Sequence, residues 1–281
     1  MDNLRGALIM VLSMLGFAIE DMFIKLIGTD IPIGQIIFML GTGGALCYGA
    51  MVVMKGEPLM DRAMLTRPIL LRALGEIVGT LGFVSAIVLT PISSASAILQ
   101  ATPLVVTLGA ALFLGDPVGW RRWSAILVGM LGVLLVIRPG MDSFQALSLL
   151  AVLGVLGLSL RDLATRRMSA NVSSLTVTLI ASLTVFAFAA IGSLGDDWQP
   201  ITWPLAGLIA LAAVLVMGGY LFSILVMRSG EVSFTAPFRY TGLVWALGLG
   251  WFVFGDWPDT LTLAGAGIVV ASGLFTLYRE R

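Results

Sequence analysis

The chain has 281 residues, of which 58% are hydrophobic and 11% are charged, and its mean hydropathy is +1.02. Soluble domains carry about 25% charged residues, so this composition excludes a soluble fold of this size and indicates a polytopic membrane protein. The formal net charge is zero, with 16 basic and 16 acidic residues, which argues against the basic face that nucleic-acid binding needs.

Turn signals and charges divide the chain into ten continuously apolar segments, and a membrane-spanning helix needs roughly 20 such residues. In chain order, spans 1 to 10 are predicted at 5–27, 32–54, 68–89, 92–114, 123–138, 144–167, 172–194, 204–227, 232–254 and 260–278. These runs do not alternate as the strands of a β-barrel do. The predicted fold class is therefore an all-α polytopic membrane protein. A signal peptide is a weaker interpretation of the first span, because no small-x-small cleavage site follows it.

Several kinds of chemistry are absent from the sequence. The chain has no histidine, which excludes His-based catalysis, His proton relays and His metal sites. Cys47 is the single cysteine, so no intrachain disulfide can form. Lys25 and Lys55 do not follow a Gly-rich phosphate loop, which argues against an ATP-driven motor. We expect no cofactor, no metal and no enzymatic activity.

Positive charges set the orientation, because cytoplasmic loops are enriched in Lys and Arg. With a cytoplasmic N-terminus, the outer loops hold Arg138 and the inner side holds the other loop cations. The inner ones are Arg5, Lys55, Arg62, Arg67, Arg121, Arg122, Arg166, Arg167, Arg228, Arg279 and Arg281. This bias predicts a multi-pass protein of a bacterial-type cytoplasmic (inner) membrane, with both termini cytoplasmic.

The two halves of the sequence repeat each other. The motif Val11-Leu12-x-x-Leu15-Gly16 recurs as Val152-Leu153-x-x-Leu156-Gly157, and Leu114-Gly115-Asp116 recurs as Phe254-Gly255-Asp256. The sequence spacing between the two copies of the first motif also aligns Asp21 with Asp162 and Lys25 with Arg166. Five spans per half bring the second half into the membrane from the opposite side, so the predicted repeats, 1–140 and 141–281, are inverted. Secondary transporters have this architecture, with a substrate site near the midplane.

Over essentially its whole length, the chain resembles the drug/metabolite transporter superfamily in its ten-helix EamA-type branch. The resemblance rests on the doubled five-helix plan, on the stretch from Thr90 to Leu104, and on the Gly-Asp turns that follow spans 4 and 9. The family usually has Gly-Glu at those turns. Within the branch, the chain is most similar to the YddG-type amino acid exporters. The resemblance implies gradient-driven movement of small metabolites, often outward.

Charged residues inside the spans are the strongest indication of a site, because each costs about 3 kcal/mol near the bilayer centre. Four are acidic and four are basic, so all of them can pair. They are Glu20, Asp21, Lys25, Arg72, Glu76, Arg161, Asp162 and Arg239. Arg161 and Asp162 lie near a cytoplasmic end, where long side chains reach the interface.

Span 3 carries Arg72, Glu76, Gly79 and Phe83 along one helical stripe. The functional interpretation is a cavity wall that binds a zwitterion, with Arg72 on its carboxylate and Glu76 on its ammonium. The alternative is an Arg72–Glu76 pair that merely satisfies itself. The sequence alone does not separate these two interpretations.

Spans 4 and 9 each contain an interior proline, Pro103 and Pro237, and proline is tolerated where a membrane helix lines a cavity. The sequence spacing between the two Gly-Asp turns aligns Tyr240 of span 9 with Gln100 of span 4. With Arg239 and Trp245, these residues are predicted to form a polar and aromatic substrate-binding patch. The alternative is packing aromatics beside one arginine that reaches the interface.

The remaining charges are candidates for coupling or gating. Asp21 with Lys25, and Asp162 with Arg166, are acid–base pairs at i, i+4 on one helical face, toward opposite membrane surfaces. They are predicted either to close two gates or to stabilise their own helices. Glu20 has no basic residue at i±3 or i±4, so it is the candidate for proton exchange.

The leading hypothesis is a secondary transporter that exports small polar metabolites, most of all amino acids, by alternating access. The alternative is a proton-coupled exporter of lipophilic cations, which Arg72 and Arg239 disfavour because a cation site needs acidic residues without nearby arginines. A membrane-embedded enzyme lacks a catalytic cluster. A purely structural protein would gain nothing from intramembrane charges. The predicted partners are a small-molecule substrate, membrane lipid and protons, with no nucleic acid and a monomeric or homodimeric state.

Overall fold

A computed structural model of the protein describes residues 2–57, 66–139, 146–168, 173–228 and 235–279. Helices form nearly all of these residues, and no strand occurs among them. Arg62, Asp142 and Arg281 lie outside the described residues, as do the predicted starts of spans 6, 7 and 9.

Each predicted span corresponds to one helix or to two or three consecutive helical segments. The unbroken ones are span 1 (Asp2–Ile27), span 2 (Ile33–Met54), span 3 (Arg67–Leu89), span 5 (Trp120–Ile137), span 6 (Ser148–Arg166), span 7 (Ser174–Gly192), span 8 (Trp203–Arg228) and span 10 (Thr260–Arg279). Span 4 consists of Ile92–Leu99, Thr102–Gly109 and the π-helical turn Ala110–Leu114. Span 9 consists of the 3₁₀ helix Ala236–Tyr240 and the helix Thr241–Phe254. The predicted all-α polytopic fold is confirmed.

Two prolines cause the breaks in spans 4 and 9. Pro103 has no N–H to donate to the Leu99 carbonyl, and the Thr102 hydroxyl donates to that carbonyl instead, at 2.7 Å. In span 9, Pro237 lies in the 3₁₀ segment, and the Thr241 hydroxyl donates to a carbonyl of that segment at 2.6 Å. The breaks place Gln100 and Tyr240 at helix ends, where helical neighbours do not fix their side chains.

The Gly-Asp turns end spans 4 and 9 in the same way. Gly115 and Gly255 have φ values of 76° and 69°, in the left-handed region that glycine adopts at a helix C-terminus. The amides of Asp116 and Asp256 then donate to carbonyls six residues back, at 3.2 and 3.0 Å. The recurring motif is therefore a helix stop that positions an aspartate beside it.

The spans pack as inverted repeats require. Span 3 packs along span 6, span 1 along span 8, span 5 along span 10 and span 2 along span 7. Each span has a counterpart five spans later in the other half. Replacing every span by its counterpart turns the contact of spans 3 and 6 into that of spans 8 and 1. The contacts of spans 5 and 10 and of spans 2 and 7 are unchanged by this exchange. A pseudo-twofold axis between the halves therefore relates the main contacts.

Glycines set the distance between the crossing spans. A Cβ added to Gly157 of span 6 would lie 2.2 Å from the backbone nitrogen of Gly79 in span 3. The repeat counterparts of these two glycines are Gly16 of span 1 and Gly219 of span 8, which also face each other. A Cβ added to Gly16 would lie 3.9 Å from the nearest backbone atom of Gly219. Small residues permit such close backbone approach, and the 3–6 crossing is the tighter of the two.

Arg138, the cation of the predicted outer loops, joins the C-terminal end of span 5 to the start of span 10. Its guanidinium forms an ion pair with Asp259, whose carboxylate also accepts the Thr262 amide at the start of span 10. These hydrogen bonds, that from Arg138 first, lower the pKa of Asp259 from 3.8 to about 2. The carboxylate therefore stays charged, and the contact with Arg138 persists, until the pH falls toward that value.

Candidate functional site

Four of the predicted intramembrane charges form one cluster between spans 3 and 6. Arg72 and Glu76 pair at 3.3 Å, the contact that the alternative interpretation of span 3 predicts. Arg161 of span 6 contacts the other oxygen of Glu76 at 3.6 Å and pairs with Asp162 at 2.9 Å. Arg161 therefore points into the protein instead of reaching the interface. The cluster contains two cations and two anions, so it is formally neutral.

Close backbone packing brings these charges together. A Cβ on Gly75 would lie 2.5 Å from the backbone nitrogen of Arg161, so the two helices touch one residue before Glu76. Glu76 is 7% exposed, which places its carboxylate in the interior. A buried carboxylate needs cationic partners, and this crossing supplies one from each helix.

Part of the Arg72 guanidinium has no hydrogen-bond partner among the described residues. Its Nη1 contacts Glu76, whereas its Nε is buried without a hydrogen-bond partner among the described residues. Both contacts of Glu76 with arginine are also longer than the 2.7–2.9 Å of a strong charge-assisted hydrogen bond. Arg72 therefore keeps one free edge, and its pair with Glu76 is loose.

Two tyrosines that sequence reasoning missed are within electrostatic range of this cluster. Tyr220 of span 8 is within electrostatic range of Glu76, Arg161 and Arg72, and Tyr48 of span 2 is within range of Glu76 and Tyr220. Tyr48 is 8% exposed, and its hydroxyl has no partner among the described residues. The signal was available, because the chain has four tyrosines and these two lie inside apolar spans.

Span 1 connects the charged cluster to the predicted aromatic patch. Phe17 meets the Tyr220 ring edge-on, at 5.5 Å between centroids. One turn earlier, Met14 lies beside Gly242 of span 9, on the side where the Gln100 amide also approaches. Glu20 follows one turn after Phe17 and is 8% exposed. One face of span 1 therefore connects both groups.

The structure brings together some of the residues of the predicted polar and aromatic patch. Gln100 lies near Gly242, and Trp245 buries its Nε1 without a partner among the described residues. The Tyr240 hydroxyl packs against the backbone of Gly273 in span 10 and also has no described partner. The Tyr240 hydroxyl and Trp245 Nε1 are therefore donors that the described residues leave unused.

Two predicted site residues lie elsewhere. Arg239 is exposed, since a 3₁₀ helix turns successive side chains by about 120° and Tyr240 takes the inward direction. Phe83 packs against Gly154 in the 3–6 crossing, as part of the hydrophobic core. Arg239 therefore does not join the aromatic patch in this conformation.

The predicted pair of Asp21 and Lys25 is not formed. Lys25 Nζ instead donates to the carbonyls of Ile87 and Thr90 at the C-terminal end of span 3, at 3.2 and 2.6 Å. Pro91 has no N–H for the Ile87 carbonyl, so the carbonyl is free to accept from Lys25. Lys25 also lies 5.4 Å from the centroid of the Phe254 ring. Among the described residues, neither Asp21 nor Glu20 has a cation within ion-pair distance.

The predicted pair of Asp162 and Arg166 is also not formed, because Asp162 pairs with Arg161 instead. Arg166 pairs with Asp116 of the first Gly-Asp turn at 3.4 Å. Lys25, the repeat counterpart of Arg166, is within electrostatic range of Asp256, the counterpart of Asp116. The acid that faces each basic residue therefore belongs to the opposite repeat, and the pseudo-twofold axis relates the two arrangements.

Comparisons with known proteins agree with this architecture. The profile of the EamA-like transporter family matches residues 4–138 and again residues 146–278. An S-adenosylmethionine uptake transporter of Rickettsia bellii is 26% identical, covering 96% of this chain and 92% of its own. A pseudopaline exporter of Pseudomonas aeruginosa is 27% identical over 98% of this chain and 96% of its own.

Further similarities cover part of the sequence or the fold alone. A riboflavin transporter of Vibrio cholerae is 29% identical over 68% of this chain and 64% of its own. A protein crystal structure superposes with a TM-score of 0.67 at 17% identity, covering 99% of both chains. With the family profile matched twice, this polytopic membrane protein belongs to the EamA-like transporter family, whose members are transporters and not enzymes.

Proposed function

We propose that this protein is a secondary transporter that exports small metabolites with an amino acid group across a bacterial-type inner membrane by alternating access. The positive charges of its inner loops support cytoplasmic termini. Among the relatives, the Rickettsia protein transports S-adenosylmethionine, a metabolite that itself carries an α-amino acid group. Both uptake and export occur among the relatives, and export is the direction proposed here.

The observation that carries this proposal is the loose Arg72–Glu76 pair with its free Arg72 edge. A zwitterion inserted there would place its carboxylate on the guanidinium fork and its ammonium on Glu76. One loose ion pair, at 3.3 Å, would be replaced by two, and the cluster would remain neutral. A lipophilic cation has no group for Arg72 and would face two arginines.

The unused donors of the second patch support a polar substrate. The Tyr240 hydroxyl and Trp245 Nε1 are buried without acceptors among the described residues, and Gln100 lies nearby at the break of span 4. A buried donor without a partner costs about 1–3 kcal/mol, which a substrate acceptor would recover. We propose that these three residues contact the part of the substrate beyond its amino acid group.

The two basic residues Lys25 and Arg166 are the proposed gates. Lys25 ties the outer ends of spans 1 and 3 together, while Arg166 contacts the turn that follows span 4 at the inner side. Alternating access requires that such contacts break on one side while they hold on the other. Asp256 and Asp116, in place of Asp21 and Asp162, are the proposed acidic partners.

Glu20 is the proposed coupling residue, and we expect Glu20→Gln to abolish the dependence of transport on a pH gradient. Its carboxylate is buried, and the titratable groups around it are Asp21 on its own helix and Tyr220 on span 8. A proton is therefore the simplest counter-charge. The measurement is substrate flux in proteoliposomes with and without an imposed pH gradient. Unaltered gradient dependence in Glu20→Gln would contradict this role.

The experiment that tests the proposed function is counterflow in proteoliposomes. Labelled amino acids are offered in one set and a labelled quaternary ammonium compound in another. We expect exchange of at least one amino acid and none of the quaternary ammonium compound. Movement of the drug with no amino acid exchanging would overturn the proposal.

A further inference from the structure

Two buried donors in the charged half of the site lack an acceptor among the described residues. The Nε of Arg72 and the hydroxyl of Tyr48 are buried without partners among the described residues. Tyr220, whose ring packs edge-on against Phe17, is within electrostatic range of Tyr48 and of the charged cluster. A folded protein rarely leaves buried donors unpaired, so such groups require an explanation.

Among the described residues, the carboxylates of the cluster accept from arginines and from neither of these two donors. Glu76 is the common neighbour of the two tyrosines, but one of its oxygens contacts Arg72 and the other contacts Arg161. Asp162 pairs with Arg161 on the far side of that guanidinium. The unpaired groups therefore lack an oxygen ligand, and a bound carboxylate has two oxygens that accept several hydrogen bonds.

We propose that the hydroxyls of Tyr48 and Tyr220, together with the free edge of Arg72, form the binding site for the carboxylate of the substrate. This inference rests on the proposed transport function and deepens it. Arg72 supplies the positive charge and the bidentate geometry, and the two hydroxyls discriminate between a carboxylate and a group that replaces it. They reject an analogue in which an amide or a hydrogen replaces the carboxylate, because the buried Tyr48 hydroxyl and Arg72 Nε then stay unpaired.

The packing of the two tyrosines supports a fixed position. The Phe17 ring stands at 90° to the Tyr220 ring, and the Ser13 hydroxyl holds span 8 by donating to the Gly219 carbonyl at 2.8 Å. Tyr48 lies in a small hydrophobic cluster with Val52 and Leu179. Both rings are thus held by apolar contacts that tyrosine-to-phenylalanine exchange preserves. The hydroxyl is the one group that the exchange removes.

The test compares an amino acid with its own carboxamide as inhibitors of counterflow. The variants are Tyr48→Phe, Tyr220→Phe and the double variant, and Tyr278→Phe is the control because Tyr278 is 68% exposed at the end of span 10. Wild type and control are expected to prefer the acid over the amide. Each single variant is expected to lose about tenfold of that preference, the value of one hydrogen bond to a charged group. An unchanged preference in the double variant overturns the site while leaving the proposed transport function intact.

A second measurement needs no transport and separates the two proposals. Propionate and propionamide are added to the purified protein, and the midpoint of thermal unfolding is recorded. Propionate is expected to raise the midpoint of wild type but not of the double variant, and propionamide is expected to raise neither. This result supports the carboxylate site even if counterflow fails. Equal propionate shifts in wild type and double variant overturn it.

Discussion

We expect Gly157→Ala to disrupt the assembled transporter, although it adds a single methyl group. The new Cβ would lie 2.2 Å from the Gly79 nitrogen and 2.6 Å from its Cα, and both are backbone atoms that no rotamer change can move. Spans 3 and 6 would have to separate along the crossing that holds the charged cluster. Overpacking a buried backbone contact gives effects in the upper range for single substitutions, roughly 3–5 kcal/mol.

The repeat supplies a matched control for this prediction. Gly16 is the counterpart of Gly157 in the same Val-Leu-x-x-Leu-Gly motif, but a Cβ there would meet its nearest atom at 3.6 Å, an ordinary van der Waals distance. Gly207, in the exposed part of span 8, has no atom within 4 Å of the added Cβ. Thermal unfolding in detergent is expected to show a large drop for Gly157→Ala and little change for Gly16→Ala or Gly207→Ala. Equal midpoints for Gly157→Ala and Gly16→Ala would contradict the proposed crossing.

The second large effect is expected at the outer gate. Lys25→Ala removes the donor to two carbonyls of span 3 and the contact with the Phe254 ring. Its counterpart Arg166 is about half exposed and forms an ion pair worth about 0–1 kcal/mol. We therefore expect Lys25→Ala to slow counterflow about tenfold or more, and Arg166→Ala to slow it about threefold or less. Similar effects of the two substitutions would contradict the asymmetry.

Accessibility distinguishes an opened gate from a general loss of stability. In a Cys47→Ala background, Thr90→Cys places the thiol at a buried position near the outer surface, since Thr90 is 3% exposed. A membrane-impermeant maleimide is expected to label this cysteine slowly with Lys25 present and faster with Lys25→Ala. A labelling rate that does not depend on Lys25 would remove the gating role.

The positions of the spans follow from local signals in the sequence. Gly115 and Gly255 stop two helices because glycine adopts positive φ, and Pro103 marks a break because it cannot donate to Leu99. The repeat was readable because charged residues and Gly-Asp turns kept their register in both halves. These features depend on residues close together in the chain, so the sequence alone predicts them.

The charge pairs depend on residues far apart in the chain. Lys25 was assigned to Asp21 by helical spacing, but Pro91 frees a carbonyl at the end of another span that binds the ammonium group. Arg161 was assigned to the interface, but the contact of its backbone with Gly75 turns its side chain toward Glu76. Tyr48 and Tyr220 were missed for the same reason, because their nearest charges lie on other helices.

Amino acid counterflow by Arg72→Ala in proteoliposomes tests the claim that Arg72 binds the carboxylate of an amino acid substrate. Arg121→Ala is the control, because Arg121 is exposed and stacks on Trp120 near the inner surface. We expect wild type and Arg121→Ala to exchange the same amino acids, and Arg72→Ala to lose the exchange by about a hundredfold while remaining folded. Wild-type exchange rates in Arg72→Ala would contradict the claim.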